Sequence, residues 1–513
     1  MSPRITTDRP PPRREAADRF LAGRIDYERT QSMPNSEEAL KLDRMRELLR
    51  RLGNPQESMP IVHVAGTKGK GSTAAMIAAI FTAAGYRAGL FTSPHLDRVE
   101  ERMAVDARPC PPEEYAELVE LVRPEVEAMD RAAARCDPPE HGPTYFEIIT
   151  ATALKHFAIR KVEAAVLEVG LGGRLDSTNV CSPCLSIITS ISFDHTRQLG
   201  ETLESIAAEK AGIIKPGTTV ISGVRAERPR EVIGRAAAAA GCRLVQLGVD
   251  FDFEYHPPRH LEKAPSPARF DFHLAPGHLA PGEYTGGSSY TGGSSYTGGP
   301  ASTDGRLVDY SNIPLAMLGR HQAANAAVAL AAVEELRLSG WTIPETAIRR
   351  GLAEVVWPAR VEVLARRPAV VLDAAHNVAS IEALVEALEE SFSVARRLLV
   401  FAATQDKDVG GMWRALLGRF DHAILTRYLN NPRGVPPEEL RKLAACWCGS
   451  STDCWCGSST AAPTVEIAPT PADAWDAVGR LAQPDDLICV TGSFFLAAEM
   501  RRLIAERPLS PRP

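Results

Sequence analysis

The stretch Ile61-Val62-His63-Val64-Ala65-Gly66-Thr67-Lys68-Gly69-Lys70-Gly71-Ser72-Thr73 decides how the rest of the chain is read. Residues 61–65 are short and β-branched, the pattern of a buried strand, and they run straight into a glycine-rich turn. The following residues, Ser72 to Ala84, carry Ala, Met, Ile and Phe almost all round, which predicts a helix buried against a sheet. Strand, turn and helix in this order set backbone amides and a helix N-terminus where they can cradle polyphosphate. Lys70 then supplies the point charge for the β- and γ-phosphates, and Gly66, Thr67, Gly69, Gly71, Ser72 and Thr73 are the expected nucleotide contacts around it. The pattern departs from the common GxxxxGK[ST] form, since Val64 stands where the first Gly would be and Gly71 separates Lys70 from the Ser72 hydroxyl.

Working outward, strand-like runs recur at 164–167, 185–189 and 219–222 with helical segments between them, which argues for a parallel sheet covered by helices. A second α/β unit follows Trp357-Pro358, with strands expected near 369–372, 398–401, 423–425 and 487–490. A chain of 513 residues exceeds what one core usually organises, so two domains are expected. We place a flexible arm at 1–19, the phosphate-loop domain at 20–356 and the smaller domain at 357–513. Two tandem repeats interrupt this plan. YTGGSSYTGGSSYTGG at 284–299 has little capacity to bury anything and reads as a surface loop. CWCGSSTDCWCGSST at 446–460 is either a repeat expansion or a soft-metal site. The Cys181-Ser182-Pro183-Cys184 unit is likewise either a metal or redox pair, or incidental.

With 44% hydrophobic and 24% charged residues the composition is that of a soluble globular protein, and a net charge of -6 gives no electrostatic case for nucleic acid. No window approaches the roughly 18 consecutive apolar residues of a membrane span, and the Arg- and Pro-containing N-terminus lacks a secretory core. A cytoplasmic, monomeric protein without membrane partners is the expectation.

The variant loop GTxGKGS resembles that of the folylpolyglutamate synthase and dihydrofolate synthase branch of the Mur-ligase superfamily, and further motifs extend the resemblance from about Phe20 to the C-terminus. Phe91-Thr92-Ser93-Pro94-His95-Leu96, with Arg102 shortly after, is similar to the segment that in this family contributes a metal hydroxyl and part of a folate pocket. Glu168-Val169-Gly170-Leu171-Gly172-Gly173-Arg174-Leu175-Asp176 is similar to the second family signature, Glu168 falling at a strand end where a carboxylate suits Mg²⁺. The resemblance implies metal binding by Ser93, Glu168 and His195, and folate contacts by Pro94, His95, Leu96, Arg102 and Asp176. It also implies that Lys210, in Ala208-Glu209-Lys210-Ala211-Gly212, is carbamoylated and holds a second Mg²⁺; unmodified, it is an ordinary cation near phosphates. Asn325, Arg360, Asp373 and His376 are implied as ATP contacts, the last two at a strand end where open parallel sheets present their ligand cleft.

The implied fold is a P-loop NTPase-like parallel-sheet domain followed by a smaller Rossmann-like α/β domain. The implied reaction joins L-glutamate to a folate-type acid, either dihydropteroate or tetrahydrofolate polyglutamate, at the expense of ATP with Mg²⁺. A carboxylate oxygen is a poor leaving group, so phosphorylation to an acyl phosphate must precede attack by the amine. Lys70, Lys210 and His376 are the catalytic candidates, with Asp176 and His376 both open as general base. Two alternatives remain: a Mur-type ligase acting on a UDP-muramoyl acceptor, which the Ser93-Pro94-His95-Leu96 and Gly170–Asn179 segments disfavour, and a non-catalytic nucleotide-binding protein.

Overall fold

The β-branched run Ile61–Ala65 is β1, buried along its whole length, and it lies at the middle of an eight-stranded sheet. The other strands are β2 (Ala88–Phe91), β3 (Met103–Val105), β4 (Arg108–Pro109), β5 (Ala164–Glu168), β6 (Leu185–Ile188), β7 (Thr219–Ser222) and β8 (Leu244–Gln246). Their spatial order is β4-β3-β2-β5-β1-β6-β7-β8. All pairs from β2 to β8 are parallel, and the short β3 and β4 add antiparallel at one edge. Strands buried on both faces are expected of a parallel sheet covered by helices, and β1, β2, β5 and β6 are buried throughout. The structure, a computed structural model, describes residues 12–28, 42–138, 140–275, 307–448 and 463–509.

Register fixes what happens at the top of this sheet. Val64 pairs with Glu168, Ala65 with Ile188, and Phe91 with Leu167. The carboxyl ends of β2, β5, β1 and β6 are therefore level, and whatever follows each strand meets its neighbours.

The chain divides into two compact units. The first runs to Asp252 and takes in His273–Asp309 and Asn325–Leu352, while the second comprises Phe253–Phe272, Tyr310–Ala324 and the chain from Ala353. The division falls at Leu352/Ala353, where the boundary was expected at 356, and two earlier segments belong with the second unit. They contribute to a three-stranded sheet of β9 (Phe251–His256), β10 (Ala268–Leu274) and β11 (Leu307–Leu315) in the order β11-β10-β9. β10 alternates buried and half-buried residues, with Phe270 and Phe272 fully enclosed, as a sheet with one covered face requires.

The second unit also holds a six-stranded sheet of β12 (Glu362–Arg366), β13 (Ala369–Leu372), β14 (Arg397–Phe401), β15 (His422–Leu425), β16 (Thr464–Ile467) and β17 (Leu487–Thr491). Its order is β12-β13-β17-β14-β15-β16, parallel except for β12 against β13.

Of the arm expected at 1–19, residues 1–11 lie outside the described residues and the rest is helical. Pro12–Ala22 is a helix whose Ala17 and Leu21 enter the same core cluster as Met45, Leu48 and Tyr115. Arg14 also pairs with the buried Glu100 at 2.7 Å, which ties the segment to the body. The repeat at 284–299 lies outside the described residues. Of the repeat at 446–460 only the end of the helix Pro437–Cys448 is described.

Candidate active site

The turn after β1 is held by the residues after β6. Thr67 N–H donates to Ser190 O at 2.7 Å, and Thr67 Oγ1 and Ser192 exchange hydrogen bonds at 3.2 and 3.1 Å. Lys68 N–H donates to Ser190 Oγ at 3.0 Å, while the Thr189 and Ser190 hydroxyls donate to Lys68 O at 2.6 and 3.0 Å. The turn is thus clamped before any ligand arrives. Two glycines permit it. Gly66 has φ 145°, and a Cβ there would meet Thr189 Oγ1 at 2.0 Å; Gly69 has φ 81°, and a Cβ there would meet Asn325 Oδ1 at 2.1 Å. Gly69 caps the helix Lys70–Ala83, so the helix N-terminus opens onto the turn and presents its amides to an anion. Lys70 Nζ folds back to Thr67 O at 3.4 Å, and Asn325 stands against Gly69. Sequence reasoning missed the Thr189–Ser192 clamp, although a Thr-Ser-Ile-Ser run at a strand end is a readable signal.

One strand over, Glu168 is buried at the end of β5 and its Oε2 accepts the Ser93 N–H at 3.1 Å. The level ends of β2 and β5 bring these two expected metal ligands together. His195 lies in an exposed turn with φ 49° at the start of the helix Thr196–Leu199, its Nε2 3.9 Å from Asp194 Oδ1. Lys210 comes from the helix Leu203–Ala211 and is buried. Burial, then the neighbouring charge of Lys70, lowers its amine to about 7, against a partial opposing pull from Asp194, Asp176 and Glu209. Lys70, Lys210 and Asp194 are thus electrostatic neighbours, and Asp194 is a residue the sequence reading did not single out.

Three expected ligand contacts, Asp176, Arg102 and Asp373, also make hydrogen bonds within the protein. Asp176 is buried, accepting the Leu171 N–H at 2.9 Å and the Thr178 N–H and hydroxyl at 3.0 and 2.5 Å. Thr178 Oγ1 in turn lies 2.8 Å from Nε2 of the fully buried His63. Because that hydroxyl donates its proton to Asp176, His63 must donate from Nε2, and its Nδ1 is left buried without a partner. Arg102 is enclosed and forked onto Glu28 at 2.9 and 2.6 Å, with Nε donating to His95 Nδ1 at 2.8 Å. It therefore positions His95. Glu101 accepts the N–H groups of Leu96, Asp97 and Arg98, shaping the same turn; Leu96 is half-buried and Pro94 exposed.

In the second unit, Asp373 follows β13 and is buried. Its two oxygens accept the Val361 N–H at 2.8 Å and the Ala375 N–H at 2.7 Å, so it holds the 359–361 turn. Burial raises its carboxyl, and the Arg360 charge opposes that. Arg360 donates to Ala359 O at 2.9 Å and lies over the Phe494 ring at 5.9 Å. His376 Nδ1 donates to Ala374 O at 2.9 Å, which fixes the tautomer of the neutral ring. The pair Cys181 and Cys184 is unbridged, one buried and one exposed.

A clamped phosphate turn with a carboxylate at the adjacent strand end and a buried amine from a nearby helix, followed by a second parallel-sheet unit, defines an ATP-dependent ligase of the Mur type. Residues 64–256 match the Mur ligase middle domain and residues 359–494 the Mur ligase glutamate ligase domain. The chain is 36% identical over 405 residues to a dihydrofolate synthase/folylpolyglutamate synthase of Bacillus subtilis, covering 78% of this chain and 83% of the relative. It is 32% identical over 500 residues to the Mycobacterium tuberculosis protein of the same name, covering 94% of each. Crystal structures of a Mycobacterium tuberculosis folylpolyglutamate synthase with ADP and AMPPCP superpose with a TM-score of 0.77 at 30% identity, covering 98% and 99% of the two chains. An Escherichia coli structure with DHPP and ADP gives 0.72 at 28% identity, covering 96% and 98%. The chain belongs to the folylpolyglutamate synthase/dihydrofolate synthase family of the Mur ligase superfamily.

Proposed function

We propose that this protein joins L-glutamate to the carboxyl group of a folate-type acid through an acyl phosphate, releasing ADP and phosphate. The observation that carries the reading is the pre-clamped turn Gly66–Lys70 beside Glu168 and Lys210. Backbone amides at the helix N-terminus bind the triphosphate, and Lys70 neutralises charge building on the phosphoryl group in transfer. Asn325 lines the turn at Gly69 and contributes to nucleotide binding. Arg360 and His376 are further nucleotide contacts, and Asp373 acts by holding the 359–361 turn.

The donor set fits Mg²⁺. Glu168 and Ser93 offer the hard oxygen atoms that Mg²⁺ takes, His195 is the third expected ligand, and Ser192 Oγ lies buried without a hydrogen-bond partner next to Thr67. These residues would hold the ion, which when bound supplies charge neutralisation to the phosphates. Lys210 is poised for carbamoylation: an amine lowered to about 7 is substantially unprotonated at neutral pH, the form that adds to carbon dioxide. The product is an anionic oxygen donor. ¹³C NMR of the protein in ¹³C-bicarbonate should show a carbamate resonance that disappears in Lys210→Met.

On the acceptor side, the turn at His95 and Leu96, which Arg102 and Glu101 shape, is the folate-facing wall. Released ADP measured with Mg²⁺ and glutamate tests the reading: dihydropteroate, tetrahydrofolate or both should stimulate it. Stimulation by a UDP-muramoyl acceptor instead would assign the chain to peptidoglycan chemistry. We further propose that the enzyme works in the cytoplasm as a monomer. Among the described residues no helix is long and apolar enough to cross a membrane.

A further inference from the structure

Away from the phosphate turn, at the sheet edge formed by β4, three side chains of different chemistry converge. Cys110 follows β4, Glu114 lies in the first turn of the helix Pro112–Ala133, and His156 lies in the last turn of the helix Tyr145–Ile159. Their ligand atoms all fall within 4.8 Å of one another. Cys110 and His156 are 2% and 1% exposed, while the Glu114 side chain retains 19% and gives a path to solvent. Three strands, β3, β2 and β5, separate β4 from β1, so this cluster is independent of the nucleotide turn.

We propose that Cys110, Glu114 and His156 bind a borderline-soft divalent cation of the zinc type, tying the two helices together. Spacing carries the inference. The Cys110 Sγ lies 4.0 Å from His156 Nδ1, the outer limit of a sulfur hydrogen bond, and Glu114 Oε1 lies 2.9 Å from the same nitrogen. Ligands on one tetrahedral zinc stand about 3.6 Å apart for a sulfur–nitrogen pair and about 3.3 Å for a nitrogen–oxygen pair, so these two pairs lie within about half an ångström of ligand spacing. Thiolate, imidazole and carboxylate together select zinc over the hard cations expected at Glu168. Arg160 holds Glu114 from outside, Nε on Oε1 at 2.8 Å and Nη2 on Oε2, the kind of outer partner that orients a ligating carboxylate. Burial lowers the His156 imidazole, which favours the neutral, ligating form, and pushes the Cys110 thiol up to about 12, so binding must release that thiol proton and leave the imidazole proton on Nε2 in place of Nδ1.

The test uses the full chain, stripped with chelator, loaded with zinc and dialysed. Metal per protein is measured for wild type, Cys110→Ser and His156→Gln, the cysteines at 446–456 being common to all three. Each variant should retain one equivalent less than wild type with unchanged circular dichroism, and equal retention would overturn the site. Should a variant misfold, alkylation of Cys110 in wild type, read peptide by peptide, decides. Zinc should slow it by at least about tenfold, and an unchanged rate would overturn the proposal.

Discussion

At the scale of single residues, Lys70 is the sharpest test of the phosphate site. Lys70→Ala should lower turnover by at least about a hundredfold, the size seen when a preorganised charge stabiliser is lost, while the thermal midpoint stays near that of wild type. Steady-state ADP release and a melting curve check both halves. His63 carries a pH prediction. Burial, then Lys215, lowers its imidazole from 6.5 to about 3. Between those values the unfolded chain holds a proton that the folded protein refuses, so stability is lost as pH falls from 6.5 toward 3, by up to about 1.4 kcal/mol per unit. Denaturant unfolding of wild type should therefore fall more steeply with acid than that of His63→Gln, and parallel curves would rule the assignment out. Gly66 to Lys70 and Glu168 were legible as candidates because strand-end position and residue type mark them, and Lys210 because of the motif around it. The sequence could not show that Asp176, Arg102 and Asp373 turn their side chains to backbone amides or to Glu28, because the direction of a carboxylate or guanidinium depends on contacts distant in the chain.

At the scale of elements, the account rests on register, which levels four strand ends, and on the absence of a side chain at Gly66. Gly66→Ala would drive a methyl into Thr189 Oγ1 and force the turn from its clamp. The sheet should survive and ADP affinity should fall by at least about tenfold, as expected when backbone amides no longer converge on phosphate; calorimetric titration measures it. Strands such as β1, β5, β14 and β17 were legible as continuous apolar runs, since both of their faces are covered. β9 and β10 were not, because they are no such runs: Phe251-Asp252-Phe253-Glu254-Tyr255-His256 alternates with the period of a half-exposed sheet. The helix Pro12–Ala22 was hidden by a polar composition whose few apolar side chains, Ala17 and Leu21, do the packing.

For the whole molecule, two α/β units in series were readable from alternating strands and helices, though the chain passes between the units more than once. Removing residues 284–299, which join β10 to β11, should leave kcat within about twofold of wild type, because loop length alters closure entropy only slowly. A kinetic comparison of the shortened chain tests this. The central claim is that ATP is used to activate the acceptor carboxyl group. It is tested most directly by turning over a folate-type acceptor labelled with ¹⁸O in that carboxylate and analysing the released phosphate by mass spectrometry. An acyl phosphate requires ¹⁸O to pass into inorganic phosphate in step with the glutamate ligated; product formed with unlabelled phosphate would contradict the account.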